Sequence, residues 1–304
     1  MRIAIIGYGT MSNEYKKVIE HLGHKVCCFM KKNKLEPEHL KPVIPVVYNC
    51  NDLLEYNPDA VILAVSQENT VEILYQLLSI KFIPCLVEKP VFFESKDINR
   101  LWNNDNIKVG YNRRFYKGVI ELNVKLKNHE FNLKSIYVNL PEPIEEYKKK
   151  GIRLLDEYPL HYSASHVIDL LFYLLGNIVI QDICRDKNSY NGLLMTEDIG
   201  TPILFKSVFN TPEHTEMTFN FKDEVWTFCP IEELRIYDKL VKNKNDERYY
   251  QNIKKEIIED NTFKPGLIDQ VKQFLYFNKE DNLATLDDAV KVADLCNRIT
   301  GRSE

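Results

Sequence analysis

Met1-Arg2-Ile3-Ala4-Ile5-Ile6-Gly7-Tyr8-Gly9-Thr10-Met11-Ser12 opens the chain, and its reading decides the fold. An apolar run of strand length over 2–6 breaks at Gly7-x-Gly9. A helix-like segment over 11–22 follows at once and is closed by Gly23. Strand, glycine turn, helix is the order that gives a Gly-x-Gly its meaning. The first glycine allows the tight turn, and the second lets the backbone come close to a pyrophosphate. The helix then aims its free N–H groups and positive dipole end at the phosphates. The third glycine of the usual pattern is Ser12 here, small enough for close helix–strand packing. Alone, such a pair of glycines is as often a simple β-turn; the βα units behind it favour the phosphate cradle.

Beyond this turn, short apolar runs alternate with helical patterns. Strands are predicted at 2–6, 25–30, 43–47, 60–65, 85–87 and 107–110, with helices at 11–22, 51–56, 68–80 and 94–102. This alternation implies right-handed βαβ crossovers and a mainly parallel sheet covered on both faces, a Rossmann-type doubly wound α/β domain over residues 1–115. Pro58, Pro84 and Pro90 fall at the joints, where a missing N–H costs least. After Tyr111 the pattern changes. A helix over 114–127 leads to a strand at 133–140 and a polar stretch containing Pro141, Pro143 and Pro159. A strongly apolar helix over 161–175 is then stopped by Gly176. Strands at 203–209, 213–221 and 224–227 follow, with Met217, Phe219 and Phe221 alternating with Thr218 and Asn220 as a half-buried strand does. Helices return at 264–276 and 286–299. Residues 116–304 therefore read as an α+β domain with a mainly antiparallel open sheet.

The bulk numbers exclude several classes. A chain of 304 residues, 44% hydrophobic and 28% charged, has the composition of a soluble protein with two cores. A net charge of −4 gives no nucleic-acid or membrane footprint, and the run Lys148-Lys149-Lys150 reads as a solvated loop or helix end. No apolar stretch approaches bilayer length. The first strand begins at Arg2 and leaves no room for a signal peptide. Seven cysteines without CxxC spacing read as reduced thiols of a cytoplasmic protein, with no metal site.

Candidate chemistry gathers at strand ends. Ala64-Val65-Ser66 ends the fourth strand, where doubly wound sheets bind ligands, so these residues and Asn69 read either as cofactor contacts or as an ordinary βα loop with Ser66 as helix cap. Glu88-Lys89-Pro90 ends the fifth strand. Lys89 reads either as an ammonium that stabilises or protonates a developing alkoxide, or as a surface lysine paired with Glu88. On the 161–175 helix, Tyr162, His166, Asp169 and Tyr173 share one face while Leu160, Val167, Leu170, Leu171 and Leu174 cover the other side. His166 can exchange a proton near neutral pH and Asp169 can orient its imidazole; the competing reading is a satisfied core histidine. Asn112, Arg113 and Arg114 follow the sixth strand, and either arginine can bind a phosphate or carboxylate. The second strand ends Met30-Lys31-Lys32 with no acid until Glu36. Lys31 and Lys32 can therefore neutralise a 2′-phosphate, which favours NADP over NAD.

Together these pieces resemble the glucose–fructose oxidoreductase / inositol dehydrogenase / MocA family (Gfo/Idh/MocA). The carriers are Gly7-Tyr8-Gly9, Ala64-Val65-Ser66, Glu88-Lys89-Pro90, Gly110-Tyr111-Asn112-Arg113-Arg114-Phe115, and His166-Val167-Ile168-Asp169 followed by Leu174-Leu175-Gly176. The resemblance implies NAD(P)-dependent hydride transfer at a sugar, sugar-nucleotide or cyclitol carbon, with the cofactor held by Gly7, Tyr8, Gly9, Thr10, Met11, Lys31, Lys32, Ala64, Val65, Ser66, Asn69, Glu88 and Lys89. It implies Lys89, His166, Tyr162 and Asp169 as the catalytic set, and Asn112, Arg113, Arg114 and Tyr173 as substrate contacts. It also implies a homodimer or homotetramer, and the segments 229–234 and 263–266 resemble members linked to surface-polysaccharide pathways. Two departures stand out: Asp156-Glu157-Tyr158-Pro159 replaces a glycine-rich run, and Tyr162 replaces an Asp or Asn. Reduction of a tetrapyrrole or imine on the same scaffold, and a non-catalytic NADP-binding sensor, are the rival readings.

Overall fold

The computed structural model describes residues 1–31, 44–101, 105–129, 132–242, 247–276 and 282–302. Contacts divide it into two compact units, Met1–Phe115 with Asn261–Asp294, and Tyr116–Asp260 with Leu295–Glu304.

The first unit is a six-stranded parallel sheet in the order β3-β2-β1-β4-β5-β6. Its strands are β1 Arg2–Ile6, β2 Lys25–Met30, β3 Val46–Val47, β4 Ala60–Leu63, β5 Cys85–Val87 and β6 Ile107–Val109. They are apolar almost throughout because both faces are covered, as parallel sheets require. The helices α1 Thr10–His21, α2 Cys50–Glu55 and α3 Thr70–Ile80 are the crossovers, and a 3-10 turn over Ser95–Arg100 stands where a helix over 94–102 is expected. β1 pairs with β2 on one side and β4 on the other. Strand order therefore reverses at β1, and ligands of such sheets sit at that point beyond the strand ends.

The sequence pattern assigns everything after residue 115 to the second domain, whereas Asn261–Asp294 packs with the first unit. Here α7 (Leu267–Tyr276) presents Leu267, Val271, Phe274 and Leu275 to Tyr15, Val18 and Ile19 of α1 in one buried cluster. An amphipathic helix is fixed by whichever apolar surface completes its stripe, and position along the chain does not choose that surface.

The second unit is an eight-stranded mixed sheet in the order β14-β13-β12-β11-β7-β10-β9-β8. Only β7 Leu133–Asn139 and β10 Pro202–Val208 run parallel; the other described pairs are antiparallel. β11 Glu216–Phe221 buries Met217, Phe219 and Phe221, as its alternation requires, and β12 is Val225–Phe228. Four strands that carry no clean alternation complete the sheet: β8 Ile178–Asp186, β9 Ser189–Thr196, β13 Glu233–Lys242 and β14 Tyr249–Ile258. Their residues are mostly half-buried or exposed, so little periodicity marks them.

Two helices pack on the sheet, α4 Lys117–His129 against β14 and α6 Ala164–Leu175 against β8, and the short α5 Ile144–Lys149 follows β7 in the chain. Gly118 lets α4 lie on the sheet, since a Cβ there would stand 2.9 Å from Phe228 and 3.0 Å from Leu234. The last helix is α8 Leu286–Thr300, whose residues up to Asp294 are grouped with the first unit.

Candidate functional site

The ends of β1, β2 and β4 are bound together by the glycine turn. Gly7 N–H donates to Met30 O at 2.9 Å, and Ala64 N–H donates to Ile6 O at 2.7 Å. Gly7 has φ +118°, and a Cβ on it would lie 2.1 Å from Ala64 O; only glycine fits that turn. Gly9, with φ −104°, is the N-cap of α1, and a Cβ there would meet nothing within 4 Å. One glycine is thus forced by close packing, while the other faces open space at a helix N-terminus. Ser12 is fully buried beneath the turn, and its hydroxyl has no hydrogen-bond partner.

That open space is a cavity of about 540 Å³ lined by Gly7, Tyr8, Gly9, Lys31, Ala64, Val65, Ser66 and Asn69. Eight of the sequence-predicted cofactor residues therefore share one pocket. Thr10 and Met11 open α1 beside it, and Met11 Sδ lies 3.0 Å from Lys264 Nζ. Lys31 Nζ stands 5.8 Å above the centre of the exposed Tyr8 ring, which itself meets Phe29 edge-on. Lys32 lies outside the described residues. Ser66 does not cap α3 with its side chain. It heads a 3-10 turn, Gln67–Asn69, and accepts a hydrogen bond from Asn69 Nδ2 at 2.7 Å. The cavity wall also includes Tyr48, Asn49, Cys50, Glu72, Ile73 and Gln76, which the sequence motifs do not reach. Asn49 carries a visible signal of a different kind, because its side chain caps α2 by accepting from Asp52 N–H at 2.9 Å.

An open helix N-terminus, a glycine whose Cβ space is empty and a lysine at the end of β2 fit a dinucleotide with its phosphates over Gly9.

At the end of β5, Glu88 N–H donates to Leu63 O at 2.8 Å, and the Lys89–Pro90 peptide is cis. The Glu88 carboxylate accepts from the Tyr15 hydroxyl at 2.6 Å. At the end of β6, residues Asn112–Phe115 form a 3-10 turn, so α4 starts at Lys117 and not at 114 as expected. Asn112 is buried and donates to Pro265 O at 2.8 Å. Arg114, also buried, is ion-paired with Asp288 at 3.3 Å. Arg113 is half-buried, and its Nη1 is shielded from solvent without a hydrogen-bond partner.

In the second unit α6 begins at Ala164, three residues later than expected. The predicted stripe accordingly shrinks to His166, Asp169 and Tyr173. Tyr162 sits in the preceding turn, where its hydroxyl donates to Arg153 O. That turn is held by Ser165 Oγ, which donates to Tyr162 O at 2.7 Å. His166 is 7% exposed and Asp169 is completely buried. Tyr173 accepts from Asn123 Nδ2 at 2.9 Å. The apolar face is as expected, with Val167, Leu170 and Leu171 fully buried.

Residues 1–105 match the model of the Gfo/Idh/MocA family, described as an oxidoreductase family with an NAD-binding Rossmann fold. That likeness is to the oxidoreductase family's nucleotide-binding part and covers about a third of the chain. The full chain has the fold of several solved dehydrogenases. UDP-N-acetylglucosamine 3-dehydrogenase GnnA of Acidithiobacillus ferrooxidans superposes with TM-score 0.73 at 14% identity, over 99% of this chain and 97% of that one. Dehydrogenase MviM of Clostridium difficile gives 0.71 at 16% identity over 100% and 99%. A myo-inositol dehydrogenase of Corynebacterium glutamicum gives 0.69 at 14% identity over 100% and 96%. At such identities the likeness carries the fold and not the substrate. No curated protein matches the chain. No helix of the described residues is long and apolar enough to cross a membrane.

Proposed function

We propose that the protein is an NADP-preferring oxidoreductase acting on a sugar, a sugar nucleotide or a cyclitol. The observation that carries the reading is the cavity over Gly9, at the reversal of strand order, with Lys31 on its wall. The bound cofactor would supply a hydride acceptor or donor. Gly7, Tyr8, Gly9, Thr10 and Met11 would hold its phosphates, and Ala64, Val65, Ser66 and Asn69 the far wall. Lys31 sits where an NAD-preferring site carries an acid. An ammonium held over the Tyr8 ring suits a 2′-phosphate there, which supports NADP.

In the oxidative direction His166 would take the hydroxyl proton of the substrate, the nicotinamide of the bound cofactor being the acceptor of the hydride from the same carbon. Lys89 stabilises the oxygen as charge develops on it, and Asp169 orients the imidazole. Tyr162 spends its hydroxyl on Arg153 O, so its part is to shape the turn before α6. Of the two arginines, Arg113 suits a substrate phosphate or carboxylate, since Arg114 is committed to Asp288. Tyr173 and Asn112 are proposed as further substrate contacts, each within its own unit; Asn112 is buried and bonded to Pro265 O, so it also shapes the turn after β6. The exposed Leu204, Leu240, Tyr249 and Ile253 of the second unit are apolar surface of the kind a homodimer or homotetramer covers. Seven free cysteines fit a reducing, cytoplasmic setting.

The test is titration with NADPH and NADH by nicotinamide fluorescence, followed by a screen of sugars, nucleotide sugars and cyclitols for absorbance change. Binding of NADPH with turnover that disappears in Lys89→Ala and His166→Asn supports the reading. Tight binding without oxidation or reduction of any member of the screen refutes the catalytic part.

A further inference from the structure

We propose that Tyr15 is a positioning residue for Lys89, acting through the Glu88 carboxylate and braced by Gln270. The proposal rests on the reading of Lys89 given above as the group that meets the substrate oxygen.

Tyr15 lies on α1 and is fully buried, yet its hydroxyl points at a carboxylate and not at a hydrophobic neighbour. It donates to Glu88 Oε1 at 2.6 Å. Burial and the adjacent carboxylate push the phenol well above its ordinary pKa, so it stays a donor. Gln270, also fully buried, reaches in from α7, with its amide 3.4 Å from the same hydroxyl. With its oxygen turned toward β6 the amide accepts from Asn112 N–H at 3.1 Å and Tyr111 N–H at 3.3 Å, which leaves its NH₂ for the phenol oxygen. Every donor in the chain then has an acceptor: amide to phenol, phenol to carboxylate, backbone to amide.

Gly110 makes room for the central bond. A Cβ there would stand 3.2 Å from both Glu88 Oε1 and the Tyr15 oxygen. Four segments therefore converge around the Tyr15–Glu88 bond, namely α1, α7, the end of β5 and the end of β6, with the Glu88 carboxylate half-buried. Tyr15 and Gln270 are fully buried, and a satisfied polar network there is rigid while a half-satisfied one is costly, so these two side chains tolerate little drift.

The residue so fixed directly precedes the lysine. Glu88 is held by its backbone to Leu63 O and by its side chain to Tyr15, which fixes the point from which Lys89 departs. The anchor comes from the same helix that starts at Gly9. A rigid α1 thus links the phosphate cradle at its N-cap to the lysine turn. Phenylalanine would fill the core at position 15 as well as tyrosine does; the hydroxyl is needed only if the carboxylate must be held. A misplacement of about 1 Å in a reacting group can cost on the order of 100-fold in rate, so such an anchor bears on turnover.

The experiment compares wild type, Tyr15→Phe and Gly110→Ala. Tyr15→Phe removes the hydroxyl and keeps the ring; Gly110→Ala pushes on the same bond from the strand side, which guards against a folding defect peculiar to one variant. Lysines are labelled with trinitrobenzenesulfonate in the absence of cofactor, and the rate at each is read by peptide mass, the exposed lysines serving as internal controls. The expected result is a change of about threefold or more at Lys89 in both variants, with the control lysines unchanged. With a substrate in hand, kcat is expected to fall about tenfold while the cofactor KM stays within about twofold. Folded variants with an unchanged relative rate at Lys89 overturn the proposal and leave Tyr15 a packing residue. NADPH and NADH titration of the wild type runs alongside. Failure to bind either refutes the enzymatic reading, while the labelling ratio still decides whether Tyr15 positions the lysine.

Discussion

Gly7 and Gly9 are two residues apart in one turn, and the structure assigns them opposite reasons for being glycine. Alanine at Gly9 adds a methyl to a residue at ordinary φ −104° with nothing within 4 Å of the new atom. The loss in stability should be only that of a poorer N-cap, about 0.5–1 kcal/mol, which lowers Tm by a few degrees at most. The methyl would however occupy the space through which the phosphates reach the first N–H groups of α1. Losing one or two charge-assisted hydrogen bonds, each worth about 1.5–3 kcal/mol, weakens NADPH binding about 100-fold. Alanine at Gly7 places the same methyl 2.1 Å from Ala64 O, at φ +118°. The β1 and β4 ends must then separate, at a cost of about 3 kcal/mol or more. Thermal unfolding without cofactor and fluorescence titration with NADPH separate the effects: Gly9→Ala should be stable and fail to bind, Gly7→Ala should be unstable. Equal stability of the two variants, or Gly9→Ala binding NADPH within about threefold of wild type, would refute this account of the turn.

Three further outcomes are expected. Lys31→Ala should weaken NADPH about 10- to 100-fold and leave NADH within about threefold, because one charge-assisted contact to the 2′-phosphate is lost; the ratio of the two dissociation constants checks it. In the second unit, burial alone would push the Glu224 carboxyl up. Hydrogen bonds from Lys125 (2.8 Å), Lys254 and the Trp226 indole (3.0 Å) outweigh that and hold it at about 2 against an ordinary 4.5. A carboxyl depressed in the folded state stabilises above its unfolded pKa, and the contribution fades as pH falls from about 4.5 toward 2. Its ceiling is about 3 kcal/mol by linkage, and about 1–2 after allowing for solvent at the half-exposed Lys254. Glu224→Gln should therefore lower urea stability at pH 7 by that amount and flatten its fall between pH 5 and 3. Gly192→Ala should destabilise the second unit alone, since its Cβ would lie 2.1 Å from Asp182 O at the irregular β8–β9 pairing. A cofactor titration that stays at the wild-type value, with a lowered Tm, checks it.

The first 115 residues were largely legible because each strand and helix there announces itself locally. Fully buried parallel strands read as short apolar runs, crossover helices keep their stripe, and glycine and proline mark the joints. Only the shortest pieces slipped, as at Ser95–Arg100, where a 3-10 turn replaces a helix. The second unit was legible where one face is buried cleanly, as in β11 and α6, and opaque in β8, β9, β13 and β14, whose residues stand half in water on both faces. The start of α6 shows how a boundary moves chemistry. Three residues of turn take Tyr162 off the stripe that His166, Asp169 and Tyr173 keep.

What the sequence by itself determined is the glycine turn, the strand ends around it and hence the nucleotide-binding fold, because these depend on neighbours a few residues away. What only the tertiary structure decided is which distant groups meet. The return of α7 to the first core, the pairing of Asp288 with Arg114 and not Arg113, and the run from Gln270 through Tyr15 to Glu88 each join residues separated by dozens to hundreds of positions. Such pairings leave no periodic trace in a single chain, since a buried tyrosine or glutamine looks the same in sequence whether it fills space or holds a carboxylate.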